Sequence, residues 1–151
     1  MKTIKEGTQV PDFELPDQDG NPVRLSERLT DGPVVLFFYP AAMTGGCTKE
    51  ACHFRDLGAE FAAAGAQRLG ISADAVGKQK QFADANSFDY PLLSDESGEV
   101  ATSFGVKRKY VVPVKRATFV IDPDRTVRTV ITSEMNMDVH ADQALSALKG
   151  L

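Results

Sequence analysis

Apolar and polar positions follow two rhythms along this chain. Pro11-Asp-Phe-Glu-Leu15 and Val23-Arg-Leu25 alternate with a period of two around a turn at Asp19-Gly20-Asn21, which predicts an N-terminal hairpin. Ser26 is placed to cap a short helical turn through Leu29. Val34-Val-Leu-Phe-Phe-Tyr39 is a continuous apolar run between Gly32-Pro33 and Pro40, the pattern of a central strand buried on both faces. A loop over 40–46 leads into a helix predicted from Thr48 to Ala64, with Phe54, Leu57 and Phe61 on one face and Gly65 as its stop. Strands are expected at 68–72 and 91–93, and helices at 74–85, capped by Asp74, and 96–104. Two further strands, 118–122 and 126–131, are joined by Pro123-Asp-Arg125, and a helix over 139–148 closes the chain. Strand–helix alternation in the middle, with hairpins at the ends, implies a mixed sheet covered by helices.

Composition narrows the classes. The chain has 151 residues, 42% hydrophobic and 25% charged, with a net charge of −4. Those values suit one globular domain spanning 1–151, and they offer no basic surface for nucleic acid. The run 34–39 is too short to span a bilayer. Met1-Lys-Thr-Ile-Lys-Glu6 lacks the apolar core of a secretory signal, so a cytoplasmic location is expected.

Chemistry concentrates at two cysteines, Cys47 and Cys52. Cys47 follows Gly45-Gly46, where a loop from the buried strand meets a helix start. Unpaired N–H groups and the positive dipole end there favour thiolate over thiol. The glycines leave room for a small substrate. Five residues along a helix correspond to ~7.5 Å of rise and about 500° of rotation, which separates the two Cα atoms by roughly 8.6 Å. A disulfide needs about 7 Å or less. The pair therefore cannot bond while the helix is intact: either the cysteines never pair, or the first turns unwind when they do. A structural, buried role for both cysteines remains open from spacing alone. A zinc site from Cys47, Cys52, His53 and His140 is disfavoured by its ligand spacing. Thioredoxin-like dithiol chemistry is disfavoured by four intervening residues in place of two.

The segment Phe38-Tyr-Pro-Ala-Ala-Met-Thr-Gly-Gly-Cys-Thr-Lys-Glu-Ala-Cys52 resembles the active-site segment of peroxiredoxins, and within them the bacterioferritin comigratory protein (peroxiredoxin Q) subgroup. Pro40, Thr44 and Cys47 match the Pro-x-x-x-Thr-x-x-Cys pattern, and Cys52 matches the subgroup's second cysteine. Arg116-Ala-Thr-Phe-Val-Ile-Asp122, the opening Pro11-Asp-Phe-Glu-Leu15 and Leu92-Leu-Ser-Asp95 are similar to family segments too. The resemblance implies an α/β thioredoxin-like fold: a central mixed β-sheet flanked by helices, with an N-terminal β-hairpin extension. It implies an atypical two-cysteine peroxidase acting on hydrogen peroxide and organic hydroperoxides, without metal or other cofactor. Cys47 would attack, Arg116 and Thr44 would hold the peroxide, Pro40 would shield the sulfur, and Cys52 would close a disulfide. Thioredoxin or a similar dithiol protein would restore the thiols, with the chain a monomer or weak homodimer. A redox sensor or a general thiol–disulfide oxidoreductase would share the sulfur chemistry.

Two departures stand out. Gly45 replaces the subgroup's usual proline, which raises the cost of ordering the loop by a few tenths to ~1 kcal/mol. Ala117 stands where a hydroxyl residue is common. Glu50 is expected mainly to complement the helix dipole, with a catalytic-acid role kept open by the resemblance. His53 and His140 are expected to lie on helix surfaces, and Phe38, Tyr39 and Phe54 to pack rather than line the pocket. Tyr110 fits either packing or the site.

Overall fold

The computed structural model describes residues 2–109 and 112–149; Tyr110 lies outside the described residues. Its frame is a five-stranded sheet in the order β5-β4-β3-β6-β7. The strands are β3 (Val34–Phe38), β4 (Gln67–Ser72), β5 (Leu92–Ser94), β6 (Ala117–Ile121) and β7 (Val127–Thr132). β3 to β5 run parallel, while β6 and β7 are antiparallel additions on the other side of β3. The expected hairpin forms a separate two-stranded sheet from β1 (Glu14–Pro16) and β2 (Pro22–Arg24).

All five residues of β3 are fully buried because each face of the strand feeds its own core. Val34, Leu36 and Phe38 point into one cluster with Phe104 and Phe119, covered by the hairpin, α1 (Leu25–Arg28) and α5 (Glu99–Ser103). Val35 and Phe37, with Tyr39 just beyond, point into the other cluster. That side is covered by α2 (Gly45–Asp56), α3 (Gly58–Ala63), α4 (Val76–Asn86) and α6 (Asp138–Lys149). Phe37 stacks on Phe54 of α2 with ring centroids 4.1 Å apart, which ties the helix carrying both cysteines to the central strand. Among the described residues no helix is long and apolar enough to cross a membrane.

Several boundaries depart from the sequence expectation for identifiable reasons. The single helix expected at 48–64 is two. Gly58 starts the second, and a Cβ there would lie 3.2 Å from Arg68 Nη2 and 3.3 Å from Asp89 Oδ2. Arg68 Nη1 donates to Phe54 O at 2.9 Å, capping a carbonyl near the end of α2. Gly65, with φ of 74°, ends α3 as anticipated. Asp74 does not cap α4, whose N-cap is Ala75; its Oδ2 instead accepts the Ala42 N–H at 2.7 Å, pinning the loop after β3. Ser26 caps nothing either, because its hydroxyl donates to Asp12 Oδ2 at 2.7 Å.

Candidate active site

The helix that carries the cysteines begins three residues earlier than its sequence pattern suggests. Thr44 takes the N-cap position in an extended conformation (φ −83°, ψ 156°), and Gly45 is the first helical residue. Cys47 therefore sits in the first turn, where N–H groups have no intrahelical acceptor. Thr44 does not cap them with its side chain, since Oγ1 donates to Ala41 O at 2.8 Å. Met43, just before, holds a left-handed φ of 70° and turns the loop into the helix. Pro40 follows the end of β3 and is half-buried, and Thr44 is exposed at the rim.

Arg116 reaches Cys47 through sheet register. Phe38 pairs with Ala117 across β3 and β6, so Arg116 lies beyond the end of that ladder, beside the chain leading to Cys47. Its Nη2 lies 3.4 Å from Cys47 Sγ, while Nη1 donates to Glu50 Oε1 at 2.6 Å. Cys47 is 1% exposed and Arg116 6%. Burial disfavours the guanidinium charge, yet Glu50 and Cys47 outweigh it and hold Arg116 above its ordinary value. Its backbone N–H donates to Glu134 Oε1 at 3.1 Å. A Cβ at Gly46 would stand in van der Waals contact with Arg116 Nη2 (3.4 Å) and the Met137 thioether (3.6 Å), so this position borders the guanidinium directly.

Glu50 and His140 overturn their sequence assignments. Glu50 lies in the second turn of α2, on the face of Cys47, and is fully buried; the first turn holds no acidic residue. Burial pushes its carboxyl up to about 8, and Arg116 only partly offsets this. His140, expected on a surface, is also fully buried, between Thr118 Oγ1 (2.8 Å from Nδ1) and Ser133 O (2.9 Å from Nε2). Burial lowers its proton affinity. Spacing of three from Cys47 already placed Glu50 on the cysteine's helix face. No sequence signal marked His140.

The second cysteine stands apart. Cys52 is half-buried with its Sγ 3.6 Å from Asn86 Oδ1 of α4, on another face of the intact α2, and both thiols are free. His53 pairs with Asp142 at 2.7 Å, so the four residues weighed for zinc point to different surroundings. Among the described residues no group of three or more His, Cys, Asp or Glu is arranged to hold a metal. Phe38, Tyr39 and Phe54 are packing residues, as expected.

What assembles is a buried sulfur in the first turn of a helix, faced by a guanidinium, so that positive charge and N–H donors converge where negative charge can be stabilised. Known proteins share both sequence and shape. The AhpC/TSA family profile matches residues 7–130. Peroxidoxin BcpB from Mycobacterium tuberculosis is 64% identical, with a TM-score of 0.95 over 98% of each chain. The bacterioferritin comigratory protein of Xanthomonas campestris is 30% identical, with a TM-score of 0.87 over 97% of this chain and 98% of that one. Chloroplastic peroxiredoxin Q from Suaeda salsa is 40% identical, covering 98% of this chain and 69% of its own. The chain thus has the thioredoxin-like peroxiredoxin fold and belongs to the AhpC/TSA family of thiol-dependent peroxidases, within its peroxiredoxin Q, or bacterioferritin comigratory protein, group.

Proposed function

We propose that the chain acts as a single cytoplasmic domain that reduces hydrogen peroxide and organic hydroperoxides through Cys47, resolves the product with Cys52, and is recycled by thioredoxin or a similar dithiol protein. The observation that carries this reading is Arg116 Nη2 at 3.4 Å from Cys47 Sγ, at the start of α2. The guanidinium charge and the free N–H groups favour the thiolate and would orient the peroxide. Sulfur attacks one oxygen, the S–O bond forms as O–O breaks, and the leaving oxyanion takes a proton to depart as water or alcohol. The Thr44 hydroxyl would hold the peroxide in line, and Pro40 would shield the sulfur. The Xanthomonas relative, described by its alkyl peroxide reduction activity, supports the organic substrates.

The product is a sulfenic acid at Cys47. Attack by the Cys52 sulfur forms the S–S bond and releases water. Both cysteines lie within one continuous helix with Cys47 facing the core and Cys52 facing α4, so this step requires the first turns of α2 to unwind. Exchange with an external dithiol returns both thiols.

Intact mass with peptide mapping after one equivalent of peroxide tests the scheme. The parent should lose two hydrogens as a Cys47–Cys52 bond, Cys52→Ser should stop at a Cys47 sulfenic acid after one turnover, and Cys47→Ser should consume no peroxide. Full activity in Cys47→Ser would assign the nucleophile elsewhere, and sustained turnover of Cys52→Ser with thioredoxin would remove Cys52 from the cycle.

A further inference from the structure

Glu50 Oε2 is a buried carboxylate oxygen without a hydrogen-bond partner, an expensive arrangement if it carries charge. The group facing it is His140 Nδ1, 3.6 Å away. The tautomer of that imidazole follows from its other contact. Ser133 O can only accept, so Nε2 carries the proton and Nδ1 of the neutral ring presents a lone pair. Thr118 Oγ1 donates to that lone pair at 2.8 Å. With that lone pair taken by Thr118, Nδ1 faces Oε2 at 3.6 Å only through its negative partial charge, which disfavours an ionised carboxylate relative to a protonated one. Since Oε1 is already taken by Arg116 Nη1, the proton belongs on Oε2, facing His140.

We propose that His140 is a positioning residue for peroxide reduction: its Nδ1 keeps the proton on Glu50 Oε2, leaving the charge of Arg116 to the Cys47 thiolate rather than to a competing carboxylate. This rests on Cys47 being the nucleophile. Two acidic groups, Cys47 and Glu50, flank one buried cation. Keeping Glu50 neutral resolves the competition in favour of sulfur. The other charged groups near the pair are Glu134, from the β7–α6 loop, and the exposed His53–Asp142 pair bridging α2 and α6. Glu134 is negative and opposes ionisation of Glu50, which acts in the same direction as His140.

The test compares His140→Phe, His140→Asn and Thr118→Val in the reduced protein, following hydrogen peroxide consumption and iodoacetamide alkylation of Cys47 against pH. His140→Phe keeps the ring shape but removes the lone pair, so the pH of half-maximal rate should rise by about one unit in both assays, with about tenfold slower reaction near neutrality. His140→Asn restores an acceptor oxygen and should recover part of the shift. Thr118→Val removes the rival donor at Nδ1 and should move the half-maximal pH downward. An unchanged half-maximal pH in His140→Phe, even with a uniformly lower rate, or an upward shift in Thr118→Val, overturns the proposal. Should His140→Phe not fold, infrared spectroscopy of the parent decides: a protonated carboxyl band near neutral pH, absent in Glu50→Gln, is expected, and its absence from the parent overturns the proposal. Failure of the underlying reading is recognised separately, by parent alkylation that does not map to Cys47.

Discussion

Glu50→Gln offers a sharp test of the buried charge arrangement, because it replaces the protonated carboxyl by a neutral group of the same shape. In the folded chain burial pushes the Glu50 carboxyl up to about 8, against an ordinary value of 4.5 when exposed. The folded state therefore holds this proton between those pH values and the unfolded state does not, so stability declines as pH rises from about 4.5 to about 8. The gap corresponds to a cost on the order of 5 kcal/mol at high pH, at about 1.4 kcal/mol per pH unit. Water entry and local relaxation around the ionised carboxylate would relieve part of that, leaving about 2–3 kcal/mol. Gln keeps an acceptor for Arg116 Nη1 and places an amide donor toward His140 Nδ1. Denaturant unfolding of both reduced proteins at about pH 5 and about pH 9 isolates the effect, since every other group cancels in the difference. Gln should gain about 2–3 kcal/mol on the parent between the two conditions. A difference that stays flat, or that moves against Gln at high pH, would refute a proton-bearing Glu50.

Two further outcomes concern the loop and helix start around Cys47. Gly45→Pro places proline at the first helical position, where a side chain meets nothing within 4 Å. It should stabilise the reduced protein by about 0.4–1 kcal/mol and slow Cys47–Cys52 closure, seen in denaturation and in mass-resolved quench experiments; faster closure would contradict the unwinding step. Asp74→Ala leaves the Ala42 N–H without the carboxylate 2.7 Å away, at a cost of about 1.5–3 kcal/mol with a slower peroxide reaction, measured by denaturation and stopped flow. Unaltered stability would show that this contact does not hold the loop.

The central strand, the order of strands and helices, and the placement of both cysteines on one helix were legible in the sequence because they depend on local pattern. Six apolar residues in a row between Gly-Pro and Pro admit few solutions, and the spacing of Cys47 from Cys52 is a property of helix geometry alone. The motif around Cys47 also brought in Arg116, though only by resemblance. The approach of Arg116 to the sulfur came from pairing Phe38 with Ala117, a register that no stretch of sequence specifies.

Local pattern misread Glu50 and His140 for a related reason. A glutamate or histidine on a helix is usually solvated, so periodicity assigns it outward. What buries Glu50 is the arrival of Arg116 from just before β6 and His140 from α6, 66 and 90 residues away in the chain. Sequence by itself determined the elements, the helix that carries the sulfurs, and the conflict between that helix and a disulfide. Only the tertiary structure decided which charges stand together in the core, because a buried ionisable group is tolerated only where distant parts of the chain supply its partners.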